Sequence, residues 1–107
     1  MLEFKPFLNP AITVKQLALD LGTSPRYLSE IINDHYGISF SEYINRARVK
    51  EAKRLMSLAE FSNQSLLDIA LDSGFNSKSS FNLMFKRYSS VTPSEYRKAV
   101  KKAVHPS

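Results

Sequence analysis

The 107-residue sequence predicts an all-α chain of about seven helices, built as two like subdomains joined by a long central linker helix. Three observations carry this. Apolar residues recur at three- and four-residue spacing, and strand-like alternation is absent. Helix-start chemistry is frequent: Thr13–Gln16, Ser39–Glu42 and Thr92–Glu95 have the hydroxyl and Glu or Gln spacing of capping boxes, with Ser65–Asp68 a weaker version. Finally, the chain repeats itself. With an offset of 52, Thr13, Leu17, Ala18, Leu19, Asp20 and Gly22 fall on Ser65, Ile69, Ala70, Leu71, Asp72 and Gly74. One residue is then inserted. With an offset of 53, Ser24, Leu28, Ile31, Ile32, Ser41, Glu42 and Tyr43 fall on Ser77, Phe81, Met84, Phe85, Ser94, Glu95 and Tyr96. Core matches core and cap matches cap, which marks an internal duplication of a three-helix unit. Two copies are too few for a solenoid.

Taken in order, the first helix, near residues 3 to 8, is interrupted by Pro6. The next covers about 14 to 21, with Val14, Leu17, Ala18 and Leu21 as its apolar face. The third, about 25 to 36, starts behind Ser24 with Pro25 at the first helical position, where the missing N–H costs nothing. Its apolar face is Leu28, Ile31 and Ile32, completed by His35. The linker helix, about 40 to 57, contains no Gly or Pro. It carries two stripes rotated from one another: Phe40, Tyr43, Ile44 and Ala47 for the first subdomain, Val49, Ala52, Leu55 and Met56 for the second. Its Arg46, Arg48, Lys50, Lys53 and Arg54 read as a solvated face, with partial phosphate contact as the alternative. Helices at about 66 to 72, 77 to 88 and 94 to 102 complete the second copy, with Phe81, Met84, Phe85 and Tyr88 as the buried stripe and Pro93 at a helix start. The tail frays from Lys101. The whole is one domain, 1–107, with subdomain one at about 10–40 and subdomain two at about 62–100. The shared Ala-Leu-Asp phrase reads as packing.

Composition narrows the function. Fifteen Lys and Arg against ten Asp and Glu give a net charge of +5, which suits a polyanionic partner without proving one. There is no cysteine, so disulfides and thiolate metal sites are excluded and a reducing compartment fits. No apolar run is long enough to span a membrane, and MLEFKPFLNP lacks the form of a signal peptide; the expected location is cytoplasmic, with no membrane contact by this segment. The two histidines, His35 and His105, form no metal-ligand pattern. No nucleophile, paired-carboxylate or phosphate-loop pattern is present, so neither an enzyme nor a cofactor is expected.

Each copy reads as a short helix, a Gly-containing turn and a second helix, which is the helix-turn-helix arrangement. An ordinary helical hairpin is the bland alternative for one copy. Two copies, the basic charge and the polar starts of the second helices favour double-stranded DNA. A recognition helix presents the outer face of its N-terminal half to base edges in the major groove. In the first copy that face carries Arg26, Ser29, Glu30 and Asn33; in the second, Lys78, Ser79, Asn82 and Leu83. Arg suits guanine, Asn adenine, Glu a cytosine amine, and Leu a thymine methyl. Backbone contacts are expected at the helix starts, from Ser24, Tyr27, Ser39, Asn76, Ser77 and Thr92, and from the cations Lys86 and Arg87. The first reading helix is net acidic through Glu30 and Asp34, so the second should attract phosphate more strongly. The linker, about 27 Å long at 1.5 Å per residue, would hold both helices on one face of a duplex whose adjacent major grooves lie roughly 34 Å apart.

Ile69-Ala70, Gly74-Phe75, Ser77, Phe81, Phe85-Lys86, Thr92-Pro93 and Tyr96-Arg97 resemble the signature of the AraC/XylS transcription regulators of bacteria. Leu17-Ala18, Ser24, Leu28-Ser29, Gly37, Phe40, Tyr43-Ile44, Arg48 and Glu51-Ala52 agree in the first half, so the resemblance covers residues 12 to 98. It implies a DNA-binding domain of two helix-turn-helix units reading adjacent major-groove segments, with Arg26, Ser29, Glu30 and Asn33 as readers in one half and Ser79, Leu83, Lys78 and Asn82 in the other. It also implies an effector or dimerisation domain elsewhere in a longer chain. Two departures stand out: Leu83 replaces a frequent polar reader, and Ser90 replaces a glycine before Thr-Pro. At positive φ, Ser90 costs about 1 kcal/mol. The competing reading is a protein-interaction module that kept the fold, lost DNA binding and docks on RNA polymerase; Glu30 and Asp34 favour it.

Overall fold

The computed structural model describes residues 5–104. Six α-helices are present among them, and no strand: α1 (Val14–Asp20), α2 (Pro25–Tyr36), α3 (Phe40–Met56), α4 (Leu66–Asp72), α5 (Lys78–Ser89) and α6 (Pro93–Val104). Single 3-10 turns cover Pro6–Leu8 and Ala59–Phe61. Of the helix expected near residues 3 to 8, the described part is only the single turn Pro6–Leu8, with Pro6 at its first position; residues 3 and 4 lie outside the described residues. At the other end the chain does not fray at Lys101; α6 continues to Val104. His105 lies outside the described residues.

Serine and threonine set the helix starts. Side-chain oxygens of Thr13, Ser24, Ser39, Ser65 and Ser77 accept from the amide three residues on, at 3.0–3.2 Å. Thr92–Glu95 closes the box in both directions, the Glu95 amide donating to Thr92 Oγ1 at 3.1 Å and the Thr92 amide to Glu95 Oε1 at 2.9 Å. Gln16 does not reach back; its amide donates to Asp20. The ends of the two second helices match as well. Gly37 (φ 68°) closes α2 and Ser90 (φ 66°) closes α5, each in the left-handed region. Ser90 therefore carries the strain expected of it.

Two apolar clusters sit at the two ends of α3. Leu17, Ala18, Leu28 and Ile32 form the first, with Phe40 and Tyr43 packed against it. The second is larger: Val49, Ala52, Leu55 and Met56 of α3 meet Ile69, Ala70, Phe75, Phe81 and Phe85. The second α3 stripe thus meets its expected partner in full, and Phe40 and Tyr43 of the first stripe meet theirs. Phe75, Phe81, Phe85 and Tyr96 form an edge-to-face series with centroids 5.5–5.6 Å apart, an arrangement that stabilises beyond area burial alone. Ala18 and Ala70 are both fully buried where short and long helices cross.

Several sequence expectations are corrected. Leu21 is 52% exposed, because α1 ends at Asp20 and Leu21 falls in the turn. His35 does not complete the α2 apolar face; it is exposed, with its ring edge-on to Tyr36. Ile31 is only at the margin of that face. Of the shared Ala-Leu-Asp phrase only the alanine packs, since Leu19 and Leu71 are exposed. The cations of α3 are not one solvated face. Arg48 reaches the segment before α1, donating from Nε to the Phe7 carbonyl (2.8 Å) and from Nη2 to the Asn9 carbonyl (3.0 Å). Arg54 grips Glu51 through two hydrogen bonds of 2.8 and 2.9 Å, and Lys5 bonds the same carboxylate at 3.3 Å.

Candidate nucleic-acid interface

The first candidate surface is the outer face of α2. Leu28 and Ile32 face the core, which turns Arg26, Ser29, Glu30 and Asn33 outward, all exposed. Arg26 Nε lies 3.1 Å from Glu30 Oε1, one helical turn on, and both side chains are largely in solvent. Such a pair contributes about 0.3–0.5 kcal/mol. It orders the two candidate readers and is weak enough to exchange for base edges. Tyr27 is 56% exposed beside them. The Ser24 oxygen is occupied by the Tyr27 amide, but its hydroxyl hydrogen remains for an anion.

The second surface is the outer face of α5. Phe81 and Phe85 are fully buried, so the helix has one possible orientation. Lys78, Ser79, Asn82, Leu83, Lys86 and Arg87 are consequently exposed. Five of them, Lys78, Asn82, Leu83, Lys86 and Arg87, line one open groove of about 700 Å³ with Leu66, Thr92, Pro93 and Ser94. No carboxylate lines it. Leu83, 63% exposed, adds an apolar contact surface to a lining that also holds cations and an amide. Asn76 is exposed before the helix, and Ser77 is half-buried with its hydroxyl directed to Ser80. Ser39 is exposed at the start of α3. Thr92 presents less than expected, because its amide donates to the Glu95 carboxylate. Hydrogen bonds to Thr92 hold that carboxyl below the usual range.

The two faces belong to different clusters, α2 to the first and α5 to the second, with α3 between them. Three tyrosines near the helix ends were not singled out by sequence reasoning as site residues. The Tyr36 and Tyr43 rings meet at a 46° tilt with centroids 5.1 Å apart, and burial, with Tyr36 alongside, pushes the Tyr43 hydroxyl up. Tyr88 lies under Arg46 at 5.3 Å. Their spacing in sequence carried only a packing signal.

The family model described as a helix-turn-helix domain matches residues 17–99, which takes in both faces and the helix between them. The chain belongs to the AraC-type helix-turn-helix family. This AraC-type domain is 36% identical over 89 residues to a probable transcription factor, PqrA, of Proteus vulgaris, covering 83% of this chain and 70% of that one. It is 35% identical over 92 residues to an uncharacterized transcriptional regulatory protein, YesN, of Bacillus subtilis, covering 84% of this chain but only 24% of the relative. Among solved structures it is similar to the C-terminal domain of AraT, a response regulator from Geobacillus stearothermophilus. That match has a TM-score of 0.75 and 30% identity, covering 87% of this chain and 74% of that one. The family is one of DNA-binding transcription regulators, and the named relatives are a probable transcription factor and an uncharacterized transcriptional regulatory protein. No helix among the described residues is long and apolar enough to cross a membrane.

Proposed function

We propose that the domain binds double-stranded DNA sequence-specifically, with α2 and α5 in adjacent major-groove segments, and thereby regulates transcription in the cytoplasm. The observation that carries this is the pairing of two outward polar helix faces on the ends of one unbroken 17-residue helix. At 1.5 Å per residue α3 is about 26 Å long, which suits successive grooves on one face of a duplex. Arg26, Ser29, Glu30 and Asn33 read bases in one segment, and Lys78, Ser79, Asn82 and Leu83 in the other. Ser24, Tyr27, Ser39, Asn76, Ser77 and the Thr92 hydroxyl hold the backbone, with Lys86 and Arg87 supplying charge. The carboxylate-free groove of α5 supports it as the stronger phosphate partner. The two units with their linker act as one DNA-binding domain. An effector or dimerisation domain in a longer chain, and contact with RNA polymerase, belong to the same proposal; the greater length of the YesN relative supports the first.

The experiment is selection of a preferred site from a random duplex library, followed by two variants on that site. Arg26→Ala should alter base preference in one half of the site. Lys86→Ala should weaken all sequences alike and reduce the salt slope by about 0.9. Equal, sequence-independent losses from both, or no site preferred over random duplex, would refute the assignment.

A further inference from the structure

The five cations of α3 divide into two sets. Arg48 and Arg54 are taken up internally, by the Phe7 and Asn9 carbonyls and by Glu51. Arg46, Lys50 and Lys53 are not: among the described residues none of them meets a carboxylate in an ion pair. At spacings of four and three residues they share one helix face. They line an open groove with Arg87 and Tyr88, and no acidic side chain lines it. Arg46 and Lys50 also line the adjoining groove, which runs to Tyr36 and Tyr43 and is likewise free of carboxylates. In a chain with ten acidic residues, four cations gathered without one are an unneutralised stripe.

Aromatic rings order that stripe in advance. Arg46 lies over Tyr88 at 5.3 Å, and Lys53 over Tyr96 at 5.3 Å and Phe85 at 5.7 Å. Held cations lose less side-chain freedom on meeting an anion. The stripe connects the end of α2, where Tyr36 is the last residue, with the last turn of α5, which holds Arg87 and Tyr88. Along α3 the cations rise by about 6 and 4.5 Å, against one phosphate per ~3.4 Å of each DNA strand, so each can meet a separate phosphate.

We propose that Arg46, Lys50 and Lys53, joined by Arg87, form a third anion-binding surface that holds the phosphodiester backbone between the two major-groove segments. This rests on the reading that α2 and α5 occupy those segments. A duplex held at both ends of α3 brings its intervening strand to the stripe. An acidic protein segment, the other chemistry the groove accepts, has no such tether on this chain.

The test measures association with the selected duplex across a salt series, for the intact chain, Lys50→Gln, Arg46→Gln/Lys50→Gln, and Lys102→Gln as a cation outside the groove. The double variant should flatten the log–log salt slope by about 1.8, the single by about 0.9, and Lys102→Gln not at all. The ratio of affinities for selected and scrambled duplex should stay constant. Uncharged methylphosphonates at the central phosphates should weaken the intact chain more than the double variant, which keeps Lys53 and Arg87. No cation–π contact among the described residues involves Lys50, so the single variant reports even where Arg46→Gln disturbs packing. An unchanged slope in both variants, or equal weakening of both proteins by the methylphosphonates, overturns this inference while leaving the reading helices intact. Loss of polyglutamate binding with normal DNA binding assigns the groove to an acidic protein segment and also overturns it. If the intact chain prefers no sequence, the proposed function falls first.

Discussion

Exchanging the residues that end α2 and α5 tests the duplication quantitatively. Ser90 holds φ 66° where the equivalent position in the first unit, Gly37, holds φ 68°. Both donate their amide to the carbonyl four residues back, at 2.9 and 2.7 Å. Ser90 is exposed and its hydroxyl makes no hydrogen bond, so Ser90→Gly removes no contact. It relieves a left-handed cost of about 1–2 kcal/mol and adds an unfolded-state entropy cost of about 0.5–1 kcal/mol. The net expectation is a gain of about 0.5–1 kcal/mol, or about 3–6 °C in Tm for a domain of this size. The mirror change, Gly37→Ala, should cost about 1 kcal/mol from conformation alone, because nothing lies within 4 Å of the added Cβ. Urea unfolding with an unchanged m-value reads both. A neutral or destabilising Ser90→Gly, alongside a costly Gly37→Ala, would refute the claim that the two ends are equivalent.

Two further changes probe the segment before α1. Gly74 (φ +99°) has no room for a side chain: an added Cβ would run into the backbone carbonyl of Phe7. Gly74→Ala should therefore cost at least about 2 kcal/mol in urea unfolding, more than Gly37→Ala, by displacing the residues that Arg48 holds. Glu51 is held below the usual carboxylate range chiefly by Arg54, with Lys5 assisting against burial. Its contribution is thus complete above the unfolded value of about 4.3 and is lost as pH falls through the depressed folded value. Glu51→Gln should cost about 1 kcal/mol at neutral pH, since Arg54 stays half in solvent, and should match the parent chain once Glu51 is protonated. Parallel pH profiles for the two would contradict this.

Local chemistry made most of the fold legible. Ser24, Ser39, Ser65 and Ser77 mark helix starts because a hydroxyl satisfies an amide three residues away, a relation contained in the sequence. The buried alternation of Phe81 and Phe85 fixes which face of α5 is outside, so the exposed candidates follow from spacing alone. Relations to backbone atoms far along the chain were not legible. Arg48 binds two carbonyls 41 and 39 residues away, and a carbonyl carries no residue identity. The same limit hid the division of the α3 cations, and the contact of Phe7 with Gly74. Leu21 was misplaced because a seven-residue helix ends before its apolar stripe does. Thr92 keeps only its hydroxyl for a backbone contact, because Glu95, recognised as its cap, takes the amide.

The central claim is that one rigid helix spaces two reading heads on a single duplex face. Its most direct measurement is the affinity for the selected site after five or ten base pairs are inserted between its halves. An unbroken α3 cannot lengthen, so both insertions should reduce binding to the level of scrambled duplex, roughly 100-fold or more. Undiminished affinity for either inserted site would contradict the account.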